Sequence, residues 1–407
     1  MTTTIKSQRA VQPQIGFEGY CQCGVPKLSM PVSEGLKVER KESYPRDPSM
    51  KGIILHGGYG TRLRPLTHTG PKQLIPVANK PISQHALEDL IEAGINEIAI
   101  VLGNNTYPEK VKEYYGDGSK FGAKITYIHQ EEPKGIAHAV NLCQQYIQSE
   151  SFIVYLGDNL LKGGIKNFTQ NFQNSDYDAM VLLCKVENPQ RFGVAKFNEN
   201  EKLIGMIEKP KQPPSNYALT GIYFFKPIIF DMIQKLKPSW RGELEITEAL
   251  QLLLENGYDV GYQTVQGWWK DTGTPEDILE ANRLILDELK PEIKGKIENQ
   301  TSIQGRVTIG ENTKIKHSAI VRGPAIIGNN STIENDVYIG PYTSIGNNTT
   351  ISRGEIENSI IMDNCLIDIE DRITDSLIGP NSTITSNKSN KPKARRFLIG
   401  EQSQITL

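Results

Sequence analysis

The sequence lacks the marks that would place a chain in a membrane or outside the cell. Its 407 residues hold no apolar run near the about 20 that a bilayer-spanning helix needs. No secretory leader opens it. Its five cysteines, Cys21, Cys23, Cys143, Cys184 and Cys365, are odd in number and scattered. That argues against a disulfide framework and for a reduced, cytoplasmic protein. Cys21 and Cys23 form an isolated C-x-C without the further ligands of a zinc site. The net charge of −2 supplies no global field to recruit nucleic acid or an anionic membrane. The histidines (His56, His68, His85, His129, His138, His317) show neither H-x-x-x-H spacing nor a companion nucleophile, and read as structural.

What is present is ordinary for a globular protein with a real core: 38% hydrophobic and 23% charged residues, with length enough for two or three domains. Residues 1–49 are rich in Ser, Thr, Gln, Pro and Lys, lack a hydrophobic period, and read as a disordered extension. From residue 50 to 288, strand-like runs (KGIILH, NEIAIVLG, KITYIHQ, SFIVYLGDN) alternate with helix-like ones (ISQHALEDLIEAG, YPEKVKEYYG, GIAHAVNLCQQYI). This grammar predicts an α/β domain with a mostly parallel, Rossmann-like sheet, whose ligands sit at the carboxyl ends of the strands. After a linker at 289–300 the pattern changes. Ile303, Ile309, Ile315, Val321, Ile327, Ile333, Ile339, Ile345 and Ile351 recur every six residues, then slip and resume at Ile361, Ile367, Ile373, Ile378 and Ile384. A period of six fits neither helix nor long strand; it predicts a parallel β-helix of hexapeptide repeats over 301–407.

The chemistry concentrates on the predicted rim. LHGGYGTRLRPLT (55–67) sets Gly57, Gly58 and Gly60 just past a strand, followed by Thr61 and Arg62. Glycines there let backbone N–H groups approach an anion, and a guanidinium matches phosphate oxygens. It is neither a Walker loop nor G-x-G-x-x-G. Lys72, in GPKQLIPV, faces the same rim. Asp158 (YLGDN) and Asp271 (WWKDTGTP) end apolar strands, and Mg²⁺ suits such a pair, since it takes one or two carboxylates and leaves room for phosphate oxygens. The run NKSNKPKARR (387–396) reads as a solvated basic loop.

GGYGTRLRPLT, PKQLIPVANKP, YLGDN, EKP and DTGTP, in this order and spacing, resemble the sugar-1-phosphate nucleotidylyltransferases. QEEPKGIAHAV, RFGVAKF, YALTGIYFF and RGELEIT bring the resemblance closer to those of the long form that act on glucose 1-phosphate with dTTP. The resemblance covers residues 50–407 and implies a left-handed β-helix. It also implies site roles. Leu55, Gly57, Gly58, Gly60, Thr61, Gln73, Gln130, Pro133 and Gly135 would bind the nucleotide, with Gln130 and Gly135 reading the pyrimidine edge. The Gln130 amide can donate and accept at once. Arg62 and Lys72 would hold the triphosphate, and Asp158 and Asp271 the Mg²⁺. Gly193, Glu208, Leu219, Arg241 and Glu243 would hold the sugar phosphate, with Lys209 at the reacting phosphate. His56 is a departure: the family commonly has a small residue there, so His56 either turns into the sheet or presses on the nucleotide.

The implied reaction needs no general base, because a phosphate monoester is already an anionic nucleophile near pH 7. This matches the absence of a His or Cys dyad. Alternatives on the same scaffold are a UTP-using enzyme, an acetyl-transferring β-helix (where His317 is the sole histidine) and a non-catalytic assembly subunit. The presence of Arg62, Lys72, Asp158, Lys209 and Asp271 speaks against the last. The β-helix reads as a module for homo-oligomerisation.

Overall fold

The computed structural model describes residues 49–104, 107–299 and 302–386. The expectations for residues 1–48, for Cys21 and Cys23, and for the basic run 387–396 lie outside these residues.

The strand Met50–His56 is buried along its whole length. It pairs in parallel with Glu97–Gly103 on one side and Ser151–Leu156 on the other, and Lys124–Gln130 extends the parallel run. Continuous apolar sequence, rather than alternation, is what such a doubly covered strand requires. Alternate residues feed two cores. Ile53, Leu55, Ala99 and Val101 pack under the helices Ile136–Asn141 and Ile246–Glu255. Ile54, Ile98, Ile100 and Leu102 pack with Ala86, Leu87 and Leu90 of the helix Ile82–Glu92. Beyond Ser151–Leu156 the sheet turns antiparallel through Tyr217–Phe225, which carries Ala179–Lys185 and the hairpin Gly193–Phe197/Leu203–Glu208. The run GIAHAVNLCQQYI forms two short helices, Ile136–Asn141 and Gln144–Ile147, instead of one.

The second part is a β-helix. Three parallel stacks follow the hexapeptide phase: Ile309, Ile327, Ile345, Ile361 and Ile378; Ile315, Ile333, Ile351, Ile367 and Ile384; Ile303, Val321, Ile339, Ile356 and Ile373. Ile356 escapes the strict six-residue reading. The slip in the sequence is two successive five-residue steps, from Ile351 to Ile356 and from Ile356 to Ile361, so that Ile356 still lands beneath Ile339. The central rungs are fully buried, and each such Ile contributes about 1.5–3 kcal/mol before entropy. Asn312, Asn330, Asn348, Asn364 and Asn381 occupy left-handed corners, where asparagine is tolerated, and side-chain amide bonds run from Asn312 to Asn330, from Asn348 to Asn364 and from Asn364 to Asn381. Within the segment expected as a linker, two short strands pair with the coil: Glu292–Ile293 with Thr308 and Ile309, and Lys296–Ile297 with Lys314 and Ile315. Their hydrophobic period is too short to register in the sequence.

The β-helix packs on the α/β half. Leu63, Ile75, Val77, Leu160 and Ile278 share one apolar cluster with Ile360 and Met362 of the coil. At its centre Asn282, on the helix Pro275–Leu286, is fully buried. It accepts from the Ala78 N–H (2.8 Å) and from Ser344 Oγ (2.7 Å), and donates to the Tyr342 carbonyl (3.0 Å).

Candidate active site

The loop after Met50–His56 leaves the sheet with Gly58 and Gly60 at positive φ (86° and 59°). Gly60 is pinned: Thr67 Oγ1 donates to its carbonyl at 2.8 Å, and a Cβ there would lie 2.9 Å from Thr67 Cγ2. By contrast, a Cβ on Gly57 or Gly58 would touch nothing, so the space above them is open. Thr61 and Arg62 follow in an exposed 3₁₀ turn. Beneath the loop, Gln73 is buried and its amide donates to the Gly57 carbonyl at 2.8 Å. Gln73 was expected among the nucleotide contacts; the structure makes it a brace for the loop, in turn held by Ser83 Oγ on its carbonyl (3.1 Å). Leu55 lies one step back, its side chain in the core and its carbonyl accepting from Gly157 N–H at 3.0 Å. His56 turns inward, edge-on to Tyr115 (ring centroids 6.1 Å apart). Neither ring nitrogen has a partner among the described residues, and burial pushes its pKa down to about 3. It does not press on the open side of the loop.

Gly57, Gly58, Gln130 and Pro133 line one cleft, together with Tyr59, Gly103, Asn104 and Glu131. The last four were missed from the sequence. Gly103 and Asn104 end the strand next to Met50–His56, so the rule that ligands sit at strand ends could have found them. Gln130 Nε2 donates to the Gly135 carbonyl (3.3 Å) and lies 2.9 Å from His138 Nδ1. Gly135, at φ 100°, is crowded: a Cβ there would sit 2.5 Å from the Leu244 carbonyl oxygen. That contact joins the loop after Gln130 to the segment carrying Arg241 and Glu243, through Leu244 N–H to Lys134 carbonyl (2.8 Å) and Ala137 N–H to Leu244 carbonyl (3.1 Å).

Below the rim, Trp269–Asp271 pairs antiparallel with Asn159–Leu161, setting Asp271 opposite Asn159. Thr272 donates its N–H (3.0 Å) and hydroxyl (2.7 Å) to the Asp158 carbonyl. The two acids, far apart in sequence, are thereby neighbours. Burial, then the Asp158 charge, pushes Asp271 up to about 6. Asp158 and Lys72 form a part-buried ion pair. Burial opposes both charges, but each partner outweighs it, holding the carboxyl below and the ammonium above their ordinary values. Gly273 leaves room for Arg62, whose Nη2 would lie 2.9 Å from a Cβ there. No group of three or more His, Cys, Asp or Glu stands as a cation cage among the described residues. Two adjacent carboxylates, one resisting ionisation, match the few protein ligands that Mg²⁺ takes.

A third cluster lies across the sheet. Glu208 ends the strand Leu203–Glu208, and Lys209 follows in a left-handed turn (φ 41°), a costly conformation for a side-chain-bearing residue. Glu208 faces Arg241 Nη1 (3.6 Å) and Lys209 Nζ (3.7 Å), and accepts from Thr247 Oγ1 (3.3 Å). Burial raises its pKa. Arg241 also reaches Glu243 (2.9 Å) and the buried Glu245 (3.3 Å), and Glu245 was not foreseen. Gly193 and Leu219 border Glu208: a Cβ on Gly193 would lie 3.2 Å from Glu208 Oε2 and 3.8 Å from Leu219 Cβ.

A parallel sheet with a glycine loop, paired acids and basic residues at its carboxyl rim defines a nucleotide-handling α/β enzyme fold. Residues 51–288 match the nucleotidyl transferase family, and residues 321–405 match the GMPPB C-terminal domain. The chain belongs to the nucleotidyl transferase family. It is 48% identical over 358 residues to the low-salt glycan biosynthesis nucleotidyltransferase Agl11 of Haloferax volcanii, covering 88% of this chain and 100% of that one. It is 44% identical over 359 residues to a glucose-1-phosphate thymidylyltransferase of Streptomyces antibioticus, covering 88% and 99%. A crystal structure from Bacillus anthracis, provisionally assigned as a glucose-1-phosphate thymidylyltransferase and solved with sucrose, superposes with a TM-score of 0.55. It is 41% identical and covers 58% of this chain and 95% of that one.

Proposed function

We propose that this chain transfers a thymidylyl group from dTTP to glucose 1-phosphate, giving dTDP-glucose and pyrophosphate. The observation that carries the reading is the three-part rim: a cleft with an amide at Gln130, a Lys72/Asp158/Asp271 cluster beside Arg62, and an Arg241/Lys209/Glu208 cluster opposite. The likeness to the Streptomyces antibioticus enzyme supports the choice of sugar and nucleotide.

In this reading the nucleotide lies over Gly57 and Gly58 with its base against Gln130. Arg62 and Lys72 meet the triphosphate. Glu208 accepts hydroxyl groups of the sugar, and Lys209 and Arg241 hold its phosphate. An oxygen of that phosphate attacks the α-phosphorus, the bond to the bridging oxygen breaks, and pyrophosphate leaves with the electron pair. The barrier is largely the mutual repulsion of two anions, which Lys209, Arg62 and Lys72 lower by neutralising charge and fixing alignment. Mg²⁺ held by Asp158 and Asp271 supplies further neutralisation of the phosphates. Losing one of these cationic side chains costs on the order of 10²–10³ in rate. The β-helix is read as a homo-oligomer module, which light scattering of the purified chain tests.

The deciding experiment is pyrophosphate release with Mg²⁺ and glucose 1-phosphate across dTTP, UTP, ATP, GTP and CTP. A preference for dTTP supports the reading. Equal rates with UTP widen it, and silence with every nucleotide and several sugar phosphates sinks it.

A further inference from the structure

Gln130 lines the base cleft and is almost fully buried. A carboxamide can face a ligand with either its oxygen or its NH₂, and the two faces select opposite partners. Here the surroundings choose. The Gly135 carbonyl can only accept, so the group beside it at 3.3 Å must be the NH₂. The second hydrogen of that NH₂ points at His138 Nδ1, 2.9 Å away, which accepts only when unprotonated. Both donors are thus spent. The amide oxygen has no partner among the described residues and is not sealed from solvent. His138 itself is half-buried, and burial first, then the Lys134 charge, keeps its pKa below the ordinary value. At neutral pH the ring therefore carries its proton on Nε2 and offers Nδ1 as an acceptor.

We infer that His138 is a positioning residue for base selection: its Nδ1 locks the Gln130 amide so that only the oxygen meets the base. The inference rests on the nucleotide reading of this cleft. It replaces the expectation that Gln130 both donates and accepts. A locked carbonyl takes a ring N–H, which thymine and uracil present at N3. It repels cytosine, whose N3 is an acceptor. The rejection is large because a lone pair facing a lone pair in a dry site leaves both groups unsatisfied.

The test compares equilibrium binding of dTTP and dCTP to the full chain for wild type, His138→Phe and His138→Asn. Phenylalanine keeps the ring and deletes the acceptor. Asparagine puts a carbonyl oxygen the same number of bonds from Cβ as Nδ1. In His138→Phe the preference for dTTP over dCTP falls about 10- to 100-fold, while in His138→Asn it stays close to wild type. The KM for glucose 1-phosphate moves in neither, which a general loss of structure would not spare. A folded His138→Phe protein with its preference unchanged overturns the inference. Nitrogen-15 NMR of histidine-labelled protein gives a readout that needs no nucleotide. The signal lost in His138→Phe must show an unprotonated Nδ1 and a protonated Nε2 at pH 7.5, and a protonated Nδ1 overturns the lock. If no nucleotide binds, the proposed function fails, while the NMR result still decides the lock.

Discussion

Replacing Asn282 by leucine removes the polar hub between the α/β half and the β-helix while keeping the same branched, four-heavy-atom side-chain skeleton. Three buried groups then lose partners: the Ala78 N–H, the Tyr342 carbonyl and the Ser344 hydroxyl. An orphaned buried polar group costs about 1–3 kcal/mol. The two backbone groups carry most of the penalty, and the hydroxyl a smaller share. Against this, leucine gains about 1–2 kcal/mol of apolar transfer. The net loss is about 1–4 kcal/mol, measured by equilibrium urea unfolding. A second substitution sharpens the test. Ser344→Ala in wild type deletes one hydrogen bond and costs about 1 kcal/mol. In the Asn282→Leu background the same change removes an orphan and stabilises. The effect of Ser344→Ala therefore reverses sign between backgrounds. An Asn282→Leu protein within about 0.5 kcal/mol of wild type, or a Ser344→Ala effect of the same sign and size in both backgrounds, would refute the reasoning.

Gly135→Ala drives a Cβ into the Leu244 backbone at a positive φ; nucleotide and sugar-phosphate affinities should fall together, by more than tenfold each, in calorimetric titrations. Asp271→Asn should abolish most Mg²⁺-dependent turnover yet raise stability. Burial, then the Asp158 charge, pushes the Asp271 carboxyl up to about 6, above the usual carboxylate range, so keeping it ionised at pH 7 costs on the order of 1–3 kcal/mol that the amide does not. Unfolding in urea at pH 7.5 checks the sign, and a less stable variant contradicts it. His56 and His85 are held neutral by burial, at about 3 and about 4 against 6.5. Below pH 6.5 the unfolded chain takes up protons that the folded chain refuses. Stability is thus lost as pH falls, by up to about 1.4 kcal/mol per pH unit for each histidine, until the folded-state values are reached. His56→Ala and His85→Ala should each flatten the stability–pH slope between pH 6 and 4.5 by about one proton, and an unaltered slope would count against this account.

Much of the molecule was legible beforehand. Periodicity reports burial, and burial on both faces makes the runs KGIILH and NEIAIVLG strands of a covered parallel sheet. The recurring Ile and Val report the β-helix, because each is the one side chain per face that must point inward. The rim residues were legible because glycine loops and stranded acids have few other uses. The rest depended on contacts across the chain. Ile356 joins its stack through five-residue steps that no fixed period of six contains. Glu292–Ile293 and Lys296–Ile297 are strands solely because the next coil pairs with them.

The sequence by itself therefore determined which residues could do chemistry and the two architectures that carry them, since both follow from residue type and local spacing. Tertiary structure alone decided what those residues face. It turned His56 into the core and Gln73 beneath the loop, and set Asp158 beside Asp271. It also put His138 against Gln130 and Asn282 between the two halves. Hydrogen-bond direction, desolvation and charge pairing exist only once distant segments meet, and they fix the protonation and orientation on which the site depends.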